Sequence, residues 1–318
     1  MASVTLRRAR PTTIAATVAA GGIGLAAYSR LFVNSASAES GAPPKVFGAG
    51  PAFVSLALES SEDVNHNTKR LRFKLPQREA VSGLSLTSAV LTMSWPEGRW
   101  LPVARPYTPV QPLGKNKNNP QRPPIALKTS MLIEQKDDAG YLELMVKKYP
   151  DGKQSTHIHS LTPGQKLLFA LAIKGHQWKP NSYQHVTLIA GGAGITPIYQ
   201  LAQGILRNPE DKTAITLVLG VNSDQDVLLK DEFEKFEKEF PGRFKAVYTV
   251  SNPVANSPYR KGYVTKQLLE EVGAVPKKEE TKVFVCGPPA MEAALVGKRS
   301  APGVLQELGY RKDQIHQF

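Results

Sequence analysis

Two glycine-rich segments in the second half of the chain have the composition of a nucleotide-binding site. Residues 191–197 read Gly-Gly-Ala-Gly-Ile-Thr-Pro, and residues 286–289 read Cys-Gly-Pro-Pro. Each follows an apolar run and precedes a helical pattern, so the backbone can approach a pyrophosphate while the free N–H groups of the next helix face the anion. Pro197 replaces the third glycine of the G-x-G-x-x-G fingerprint, so a tight strand-to-helix turn is the alternative. Cys286 is the only cysteine, and a free cysteine is more often a small buried hydrophobe than a functional thiol.

A third segment, residues 220–226, contains acids and no lysine or arginine. In a dinucleotide-binding fold this loop meets the ribose of the adenosine, where an acid favours a free 2′-hydroxyl over a 2′-phosphate. The loop therefore favours NADH over NADPH. An ordinary polar loop that caps the next helix is the alternative.

The first half of the chain has two polar segments that are suited to a flat ring and to phosphates. Residues 105–110 read Arg-Pro-Tyr-Thr-Pro-Val, which combines a guanidinium for phosphate, an aromatic ring for stacking and a hydroxyl for the edge of a ring. Residues 146–156 add basic side chains, a glycine turn and hydroxyls that would continue a phosphate site. Taken alone, the second segment also fits a basic hairpin.

The elements that position these segments change in kind along the chain. The first half has short apolar runs with turn signals between them and no long helical pattern, which favours an antiparallel β-barrel; the runs are residues 53–59, 68–75, 84–93, 141–146 and 166–173. The second half alternates strand and helix patterns four times, which predicts a doubly wound parallel sheet. The predicted strands are residues 185–190, 215–220, 244–250 and 282–286, and the helices are 196–206, 229–240, 266–272 and 289–296.

The N-terminal residues have the composition of a targeting segment. Residues 1–38 contain four arginines and no acid, which leaves nine of the thirteen net positive charges of this 318-residue chain on the remainder. Residues 11–29 are uncharged and would span about 28 Å as a helix, enough to cross a bilayer. A mitochondrial presequence with a membrane anchor, a secretory signal cleaved after residues 36–38, and a disordered tail all fit. We expect a targeting segment, anchor and linker at 1–51, a barrel at 52–180 and an α/β domain at 181–318.

Several kinds of site are excluded by composition. One cysteine permits neither an intrachain disulfide nor a cysteine-rich zinc module. His157 and His159 would share one face if extended, but no third ligand is near them in sequence, so we expect no metal. The basic and aromatic residues at 68–75 lack the clustered aromatics of a nucleic-acid surface, so we expect no nucleic acid as partner.

In their order along the chain, these motifs resemble the NADH-cytochrome b5 reductase family of ferredoxin-reductase-type flavoproteins, and its fungal mitochondrial members in particular. The resemblance spans residues 52–318 and rests on residues 65–73, 105–110, 146–150, 191–197, 283–289 and Phe318. It implies an FAD-binding barrel, an NADH-binding α/β domain, and an enzyme that passes single electrons from NADH to an acidic cytochrome b5-type haem protein. A reductase for a quinone, a ferric complex or haem maturation, and a non-catalytic flavin-binding assembly partner, are the alternatives.

The resemblance also assigns residues to the two cofactors. The FAD contacts are expected on the two barrel segments, with Arg105 on the diphosphate: Arg105, Pro106, Tyr107, Thr108, Val146, Lys148, Gly152, Gln154 and Ser155. The NADH contacts are expected on the α/β loops, with Asp226 selecting against a 2′-phosphate: Gly192, Gly194, Thr196, Pro197, Asp226, Cys286, Gly287 and Pro288. Lys148 would also meet NADH, and Phe318 would lie near the flavin. Thr108 and Cys286 are the expected catalytic residues, Cys286 positioning the nicotinamide and not acting as a nucleophile.

The chain departs from the family pattern at three places. Ala193 stands where a threonine is usual, residues 169–176 replace a Gly-Pro turn, and residues 112–136 form an insertion that is either disordered or translated non-coding sequence. The resemblance further implies a monomer that is anchored by its N-terminal helix at the mitochondrial outer membrane or lies in the intermembrane space; the endoplasmic reticulum is the alternative.

Overall fold

The computed structural model describes residues 43–48, 50–96, 100–110, 139–276 and 281–318. A six-stranded antiparallel sheet forms the first half, in the order β4-β3-β6-β1-β2-β5. Its strands are β1 (Pro51–Asn65), β2 (Thr68–Lys74), β3 (Ala89–Ser94), β4 (Val103–Tyr107), β5 (Tyr141–Lys147) and β6 (Lys166–Ile173). The chain beyond the edge strand β4 reaches the opposite edge, where Pro109 pairs with Leu144 and the Val110 N–H donates to the Glu143 carbonyl over 3.0 Å. The sheet is therefore curled until its two edges meet.

The side chains of this sheet point alternately into the interior of the curl and toward its outward face. Leu71 and Phe73 of β2 are buried while the charged residues between them face outward, as the sequence pattern predicts. Inside the curl, the Phe73 ring meets the edge of the Phe169 ring from β6, with their centroids 5.3 Å apart. The apolar core of the first half therefore lies within the curled sheet.

The sequence did not predict the helix α1 (Lys153–Ser160), which follows β5. Residues 153–160 contain one aliphatic side chain, Ile158, so they carry no apolar repeat of helical period. Ile158 and Gln154 are buried against the first sheet, and this tertiary contact replaces the missing pattern. The alternative of a basic hairpin does not hold at residues 153–160, and His157 and His159, which would share one face only in an extended chain, lie on this helix.

The second half is a six-stranded sheet whose paired strands are all parallel, in the order β10-β9-β8-β7-β11-β14. Its strands are β7 (His185–Gly191), β8 (Ala214–Val221), β9 (Phe244–Val250), β10 (Arg260–Lys261), β11 (Thr281–Cys286) and β14 (Ile315–Gln317), and a small hairpin joins β12 (Gly297–Lys298) to β13 (Ala301–Pro302). The helices are α2 (Ile195–Arg207), α3 (Lys230–Glu239), α4 (Lys266–Glu271), α5 (Pro289–Val296) and α6 (Val304–Glu307). The predicted succession of an antiparallel sheet and a parallel α/β sheet is thereby confirmed.

The order of the parallel strands determines where a ligand can bind. The chain runs from β7 outward to β8 on one side, and β11 lies against β7 on the other side. Ligands of doubly wound sheets bind at such a reversal of strand order, outside the carboxyl ends of the strands. In this chain those ends are Gly191 and Cys286, which begin the two glycine-rich segments.

No helix within the described ranges is long and apolar enough to cross a membrane. The predicted anchor at residues 11–29 and the predicted insertion at residues 112–136 lie outside those ranges.

Candidate functional site

A cavity of about 810 Å³ lies where the two halves of the molecule meet. Its wall is formed by β4 and the residues after it, the start of α1, residues 173–176, the two glycine-rich segments and residues 316–318. Sites for small molecules range from about 300 to 1,000 Å³, so this cavity is near the upper end of that range.

Most of the predicted site residues come together in this wall. They are Arg105, Pro106, Tyr107, Thr108, Gly152, Gln154, Ser155, Gly194, Thr196, Pro197, Cys286, Gly287, Pro288 and Phe318. The four predicted residues that do not line it are Val146, Lys148, Gly192 and Asp226. Val146 is fully buried within the first sheet, and Lys148 is exposed beyond the end of β5.

The two glycine-rich segments touch each other, and this contact depends on missing side chains. A Cβ atom on Gly194 would lie 2.2 Å from the carbonyl oxygen of Cys286, and one on Gly191 would lie 2.5 Å from the Sδ atom of Met291. Helix α2 begins after Gly194 with no side chain capping it. A 3₁₀ turn, Gly192–Gly194, leads into the helix, and its carbonyls already accept the Ile195 N–H. A pyrophosphate would therefore meet the start of this turn at the cavity and not the N–H of Ile195.

Cys286 is held as a neutral thiol. Burial raises the pKa of this thiol to about 12, and the nearby Glu292 carboxylate adds to the increase. The two oxygens of Glu292 accept hydrogen bonds from the Gly287 N–H at 3.0 Å and from Gln317 Nε2 at 2.6 Å. Glu292 thereby connects Gly287, which follows Cys286, to Gln317 at the end of β14. The next residue is Phe318.

Two tyrosines of the first half, Tyr107 and Tyr149, line the same cavity as this thiol. Burial raises the pKa of Tyr107 to about 12, although Arg105 acts in the opposite direction. Burial also raises the pKa of Tyr149, and Cys286 contributes to that increase. The Arg105 side chain is exposed, and its Nη1 atom donates to the Ala104 carbonyl over 2.8 Å.

The start of helix α1 offers a second anion site. No side chain caps the helix at Gly152. A Cβ atom on Gly152 would lie 2.3 Å from the Oγ atom of Ser155, so the turn requires glycine. Ser155 Oγ accepts from the Tyr149 N–H at 3.2 Å and donates to the Gly152 carbonyl at 3.0 Å, which closes the turn. The first N–H groups of α1 thus lie at the cavity beside Lys153, an arrangement that suits a phosphate.

The side chain of Gln154, a predicted FAD contact, forms hydrogen bonds within the protein. Its Nε2 atom donates to Thr92 Oγ1 over 2.8 Å, and its Oε1 atom accepts from Ser94 Oγ over 2.5 Å. Gln154 therefore joins α1 to β3 and holds the start of the helix in place.

Asp226 lies outside the cavity wall and is 4% exposed. Its carboxylate accepts from Lys147 Nζ at 2.7 Å, from Asn67 Nδ2 at 3.1 Å, and from the N–H and hydroxyl of Ser223 at 3.1 and 2.8 Å. Burial acts to raise the pKa of Asp226, but these hydrogen bonds outweigh it and lower the pKa to about 2. Protein donors already occupy both carboxylate oxygens. A direct hydrogen bond from a ribose hydroxyl would therefore have to replace one of these bonds.

Sequence reasoning missed Lys147 and Tyr149, which line the cavity on either side of the predicted Lys148. The alternation of side chains along β5 could have indicated the position of Lys147. Because Leu144 and Val146 are fully buried inside the curled sheet, the alternation of β5 turns Lys147 toward the opposite face.

Two histidines in the cavity wall, His176 and His316, were also missed. Their ring centroids are 4.7 Å apart, and both rings pack against Phe284. Burial lowers the pKa of His316 to about 4, and His176 and Lys282 contribute to that decrease. The two histidines are distant in sequence, so no local pattern indicates that they meet.

Two family models match the chain. The model described as oxidoreductase NAD-binding domain matches residues 188–296, and the model described as oxidoreductase FAD-binding domain matches residues 126–177. The second match begins inside the predicted insertion, so residues 126–136 align with the FAD-binding model.

Similar proteins and solved structures agree with these two family models. The chain is 44% identical to NADH-cytochrome b5 reductase 2 of Pyricularia oryzae, covering 94% of this chain and 88% of that protein. It is also 44% identical to the protein of that name from Emericella nidulans, over 97% and 90% of the two chains. The cytochrome b5 reductase domain of Ulva prolifera nitrate reductase has the same fold, with a TM-score of 0.67 and 24% identity over 86% of this chain and all of that one. The CS-b5R domains of human Ncb5or superpose with a TM-score of 0.66 and 21% identity, over 85% and 70% of the two chains.

Proposed function

Because this chain belongs to the NADH-cytochrome b5 reductase family, we propose that it takes a hydride from NADH onto FAD and passes the electrons singly to a cytochrome b5-type haem protein. The observation that carries the proposal is the single cavity in which Arg105, Tyr107 and Thr108 of the FAD half face Gly194 and Cys286 of the NADH half.

The residues of the first half fit an FAD molecule. Arg105 and the open N-terminus of α1 hold the diphosphate, since both present N–H donors to the cavity. Tyr107 packs along the isoalloxazine ring and Thr108 hydrogen-bonds its edge. Bound FAD supplies the ability to accept two electrons together and to donate them one at a time.

The residues of the second half orient NADH against that ring. The contact of Gly194 with Cys286 lets the backbone approach the dinucleotide, and the turn before α2 receives its pyrophosphate. The thiol of Cys286, which its raised pKa keeps neutral, would lie against the nicotinamide as an uncharged group. Phe318, whose N–H donates to the Val285 carbonyl over 3.1 Å, covers the same end of the cavity and excludes water.

Selection of NADH over NADPH follows from residues 222–226 and the position of Asp226. This loop presents acids and no cation that would pair with a 2′-phosphate. Asp226, whose charge is paired with Lys147, acts from behind the cavity wall by holding the loop at Ser223.

The N-terminal segment gives the enzyme its location. Residues 11–29 anchor it in the mitochondrial outer membrane, the intermembrane space or the endoplasmic reticulum being the alternatives, and the basic flank without acids supports mitochondrial targeting. Cell fractionation with protease protection tests this. Recovery of the protein with endoplasmic reticulum markers would contradict the mitochondrial assignment.

A stopped-flow experiment tests the reaction. Purified protein with bound FAD is mixed with NADH, and the flavin absorbance must bleach within seconds, the ordinary range for enzyme turnover. Cytochrome b5 added afterwards must restore the absorbance as the haem is reduced. Protein that retains FAD but does not bleach with NADH would contradict the proposal. NADPH and a quinone, each in a parallel run, test the choice of donor and of acceptor.

A further inference from the structure

One carboxylate behind the cavity wall joins two of the segments that form it. Glu292, in the first turn of α5, accepts from the Gly287 N–H at 3.0 Å and from Gln317 Nε2 at 2.6 Å. Gly287 and Gln317 both line the cavity, whereas Glu292 is half-buried and lies outside its lining. Glu292 is therefore placed to act through these two partners and not on a bound molecule.

The bond to Gly287 holds the backbone beside the thiol. Gly287 follows Cys286 directly, in the turn between β11 and α5. The Glu292 carboxylate folds back over the start of its own helix, where the positive end of the helix dipole favours a negative charge. Without this carboxylate the Gly287 N–H would lose its acceptor, and leaving a partly buried donor unpaired is costly. The position of the backbone next to Cys286 therefore depends on Glu292.

The bond to Gln317 holds the strand that precedes Phe318. β14 has three residues and lies at the edge of the parallel sheet, beside β11. Its backbone is attached on that side, where Val285 pairs with Gln317 and accepts from the Phe318 N–H. The Glu292 bond adds an attachment from α5, and a hydrogen bond to a carboxylate is roughly twice as strong as one between neutral groups. Glu292 therefore helps to fix Phe318 at the cavity.

We propose that Glu292 is a positioning residue for hydride transfer, holding Cys286 and Phe318 at a fixed separation at one end of the cavity. This rests on the proposed function, which places the nicotinamide of NADH at that end. Hydride transfer requires the reacting atoms to be about 3–3.5 Å apart, and a misplacement of about 1 Å can cost about 100-fold in rate. Because one carboxylate binds both segments, neither can shift without straining a bond to the group that also holds the other.

Two variants of the full chain separate the hydrogen bonds of this carboxylate from its charge. E292Q removes the charge, but its amide oxygen can still accept from the Gly287 N–H, and its amide nitrogen can donate to the Gln317 side-chain oxygen once that amide turns over. E292L removes both hydrogen bonds. The matched control is E307L, at an exposed glutamate of α6 outside the cavity lining. Retention of FAD shows that each variant folds.

Stopped-flow absorbance measures the two halves of the reaction separately. In E292L we expect NADH to bleach the flavin about tenfold more slowly, the loss that a displacement of less than about 1 Å would cause. Reoxidation of dithionite-reduced flavin by cytochrome b5 should change by less than about twofold, because that step requires no nicotinamide. Bleaching in E292Q should stay within about threefold of the wild-type rate, and E307L should match the wild type. Normal bleaching in E292L, equal losses in E292Q and E292L, or equal losses in both half-reactions would overturn the proposal.

Labelling of Cys286 gives a readout that does not depend on the reaction. E292Q and E292L both lack the charge beside the thiol, so a difference between them reports the position of the segment. Iodoacetamide should label E292L several-fold faster than E292Q, as read by mass spectrometry of the only cysteine. Equal labelling would overturn the proposal and leave the proposed function intact. Wild-type protein that NADH does not bleach would overturn the proposed function, and with it the role of Glu292 in hydride transfer, even where the labelling differs.

Discussion

The side chains of Asp226 and Lys147 form an ion pair of 2.7 Å that joins the NADH half of the molecule to the FAD half. Both side chains are almost fully removed from water, with 5 and 12% of their area exposed. Removing one partner of such a pair leaves the other charge without compensation, which costs far more than the pair contributes.

The D226N variant should therefore lose about 3 kcal/mol of unfolding free energy, as is usual for a broken buried pair. Urea denaturation followed by circular dichroism measures the loss. The matched control is E239Q, which breaks the exposed 2.8 Å pair between Arg207 and Glu239 and should cost no more than about 1 kcal/mol. Equal losses in the two variants would show that Asp226 does not join the two halves.

Gly194 lies so close to the Cys286 carbonyl that a methyl group added at Gly194 should weaken the binding of NADH. G194A should separate the two glycine-rich segments and raise the KM for NADH by roughly tenfold, equivalent to about 1.4 kcal/mol of binding. FAD content should be unchanged, because Gly194 lies in the NADH half. G48A is the control, since a Cβ atom at Gly48 meets nothing within 4 Å. An unchanged KM in G194A would mean that the contact is not needed for NADH.

The raised pKa of Cys286 predicts a thiol that reacts slowly. A pKa of about 12, against 9.0 for an ordinary thiol, lowers the thiolate fraction at pH 8 by roughly three orders of magnitude. Iodoacetamide should therefore label the folded protein far more slowly than the urea-unfolded protein, with the rate rising as pH increases. Because Cys286 is the only cysteine, mass spectrometry reads its labelling directly. Similar rates in the two states would contradict a neutral thiol.

The His176 and His316 pair predicts a loss of stability in acid. The pKa of His316 is about 4 in the folded protein, below its ordinary value of 6.5, so the folded state binds fewer protons than the unfolded state. Its contribution is fully present above pH 6.5 and is lost as the pH falls toward 4. Between pH 7 and pH 5 the Tm should fall by about 2 °C more in the wild-type protein than in H316F. A larger fall in H316F would reverse the assigned sign.

Ala193 stands in the cavity wall, at the position where the sequence resemblance leads us to expect a threonine. The A193T variant should bleach the flavin a few-fold faster with NADH, because one added hydrogen bond contributes about 0.5–1 kcal/mol. A193V has a similar shape without the hydroxyl and should show no gain. Equal rates in the two variants would mean that the hydroxyl has no part in hydride transfer.

Local patterns in the sequence predicted the parts of this molecule that depend on neighbouring residues. The alternation of Leu71 and Phe73 indicated a half-buried strand, and the glycines at 191–194 indicated a strand-to-helix turn. Both are set by residues within one element or one turn, where side-chain period and backbone freedom decide the structure.

Contacts between distant segments were not predictable in this way. Asp226 appeared to be a free acid on a ribose-binding loop, but Lys147 and Asn67 arrive from another domain and fill its carboxylate. Helix α1 was missed because burial of Gln154 and Ile158 against the first sheet stabilises it in place of an amphipathic repeat. Each of these features depends on contacts between residues that are distant in sequence, which no local window contains.

One hydrogen bond, at the point where the two edges of the first sheet meet, limits how the two halves of such an enzyme can be exchanged between relatives. Gln200 of α2 donates from its Nε2 atom to the Pro109 carbonyl over 2.6 Å, beside the point where Pro109 closes the curled sheet onto Leu144. Helix α2, which begins at the cavity in the NADH half, thus also supports the closure of the FAD half. A chimera that exchanges either half with a relative at residues 174–184 would keep this bond only if its second half carries a side-chain donor at the position of Gln200, because the acceptor is the backbone carbonyl of Pro109. The two halves have separate sheets, but this bond couples the closure of one sheet to a helix packed on the other.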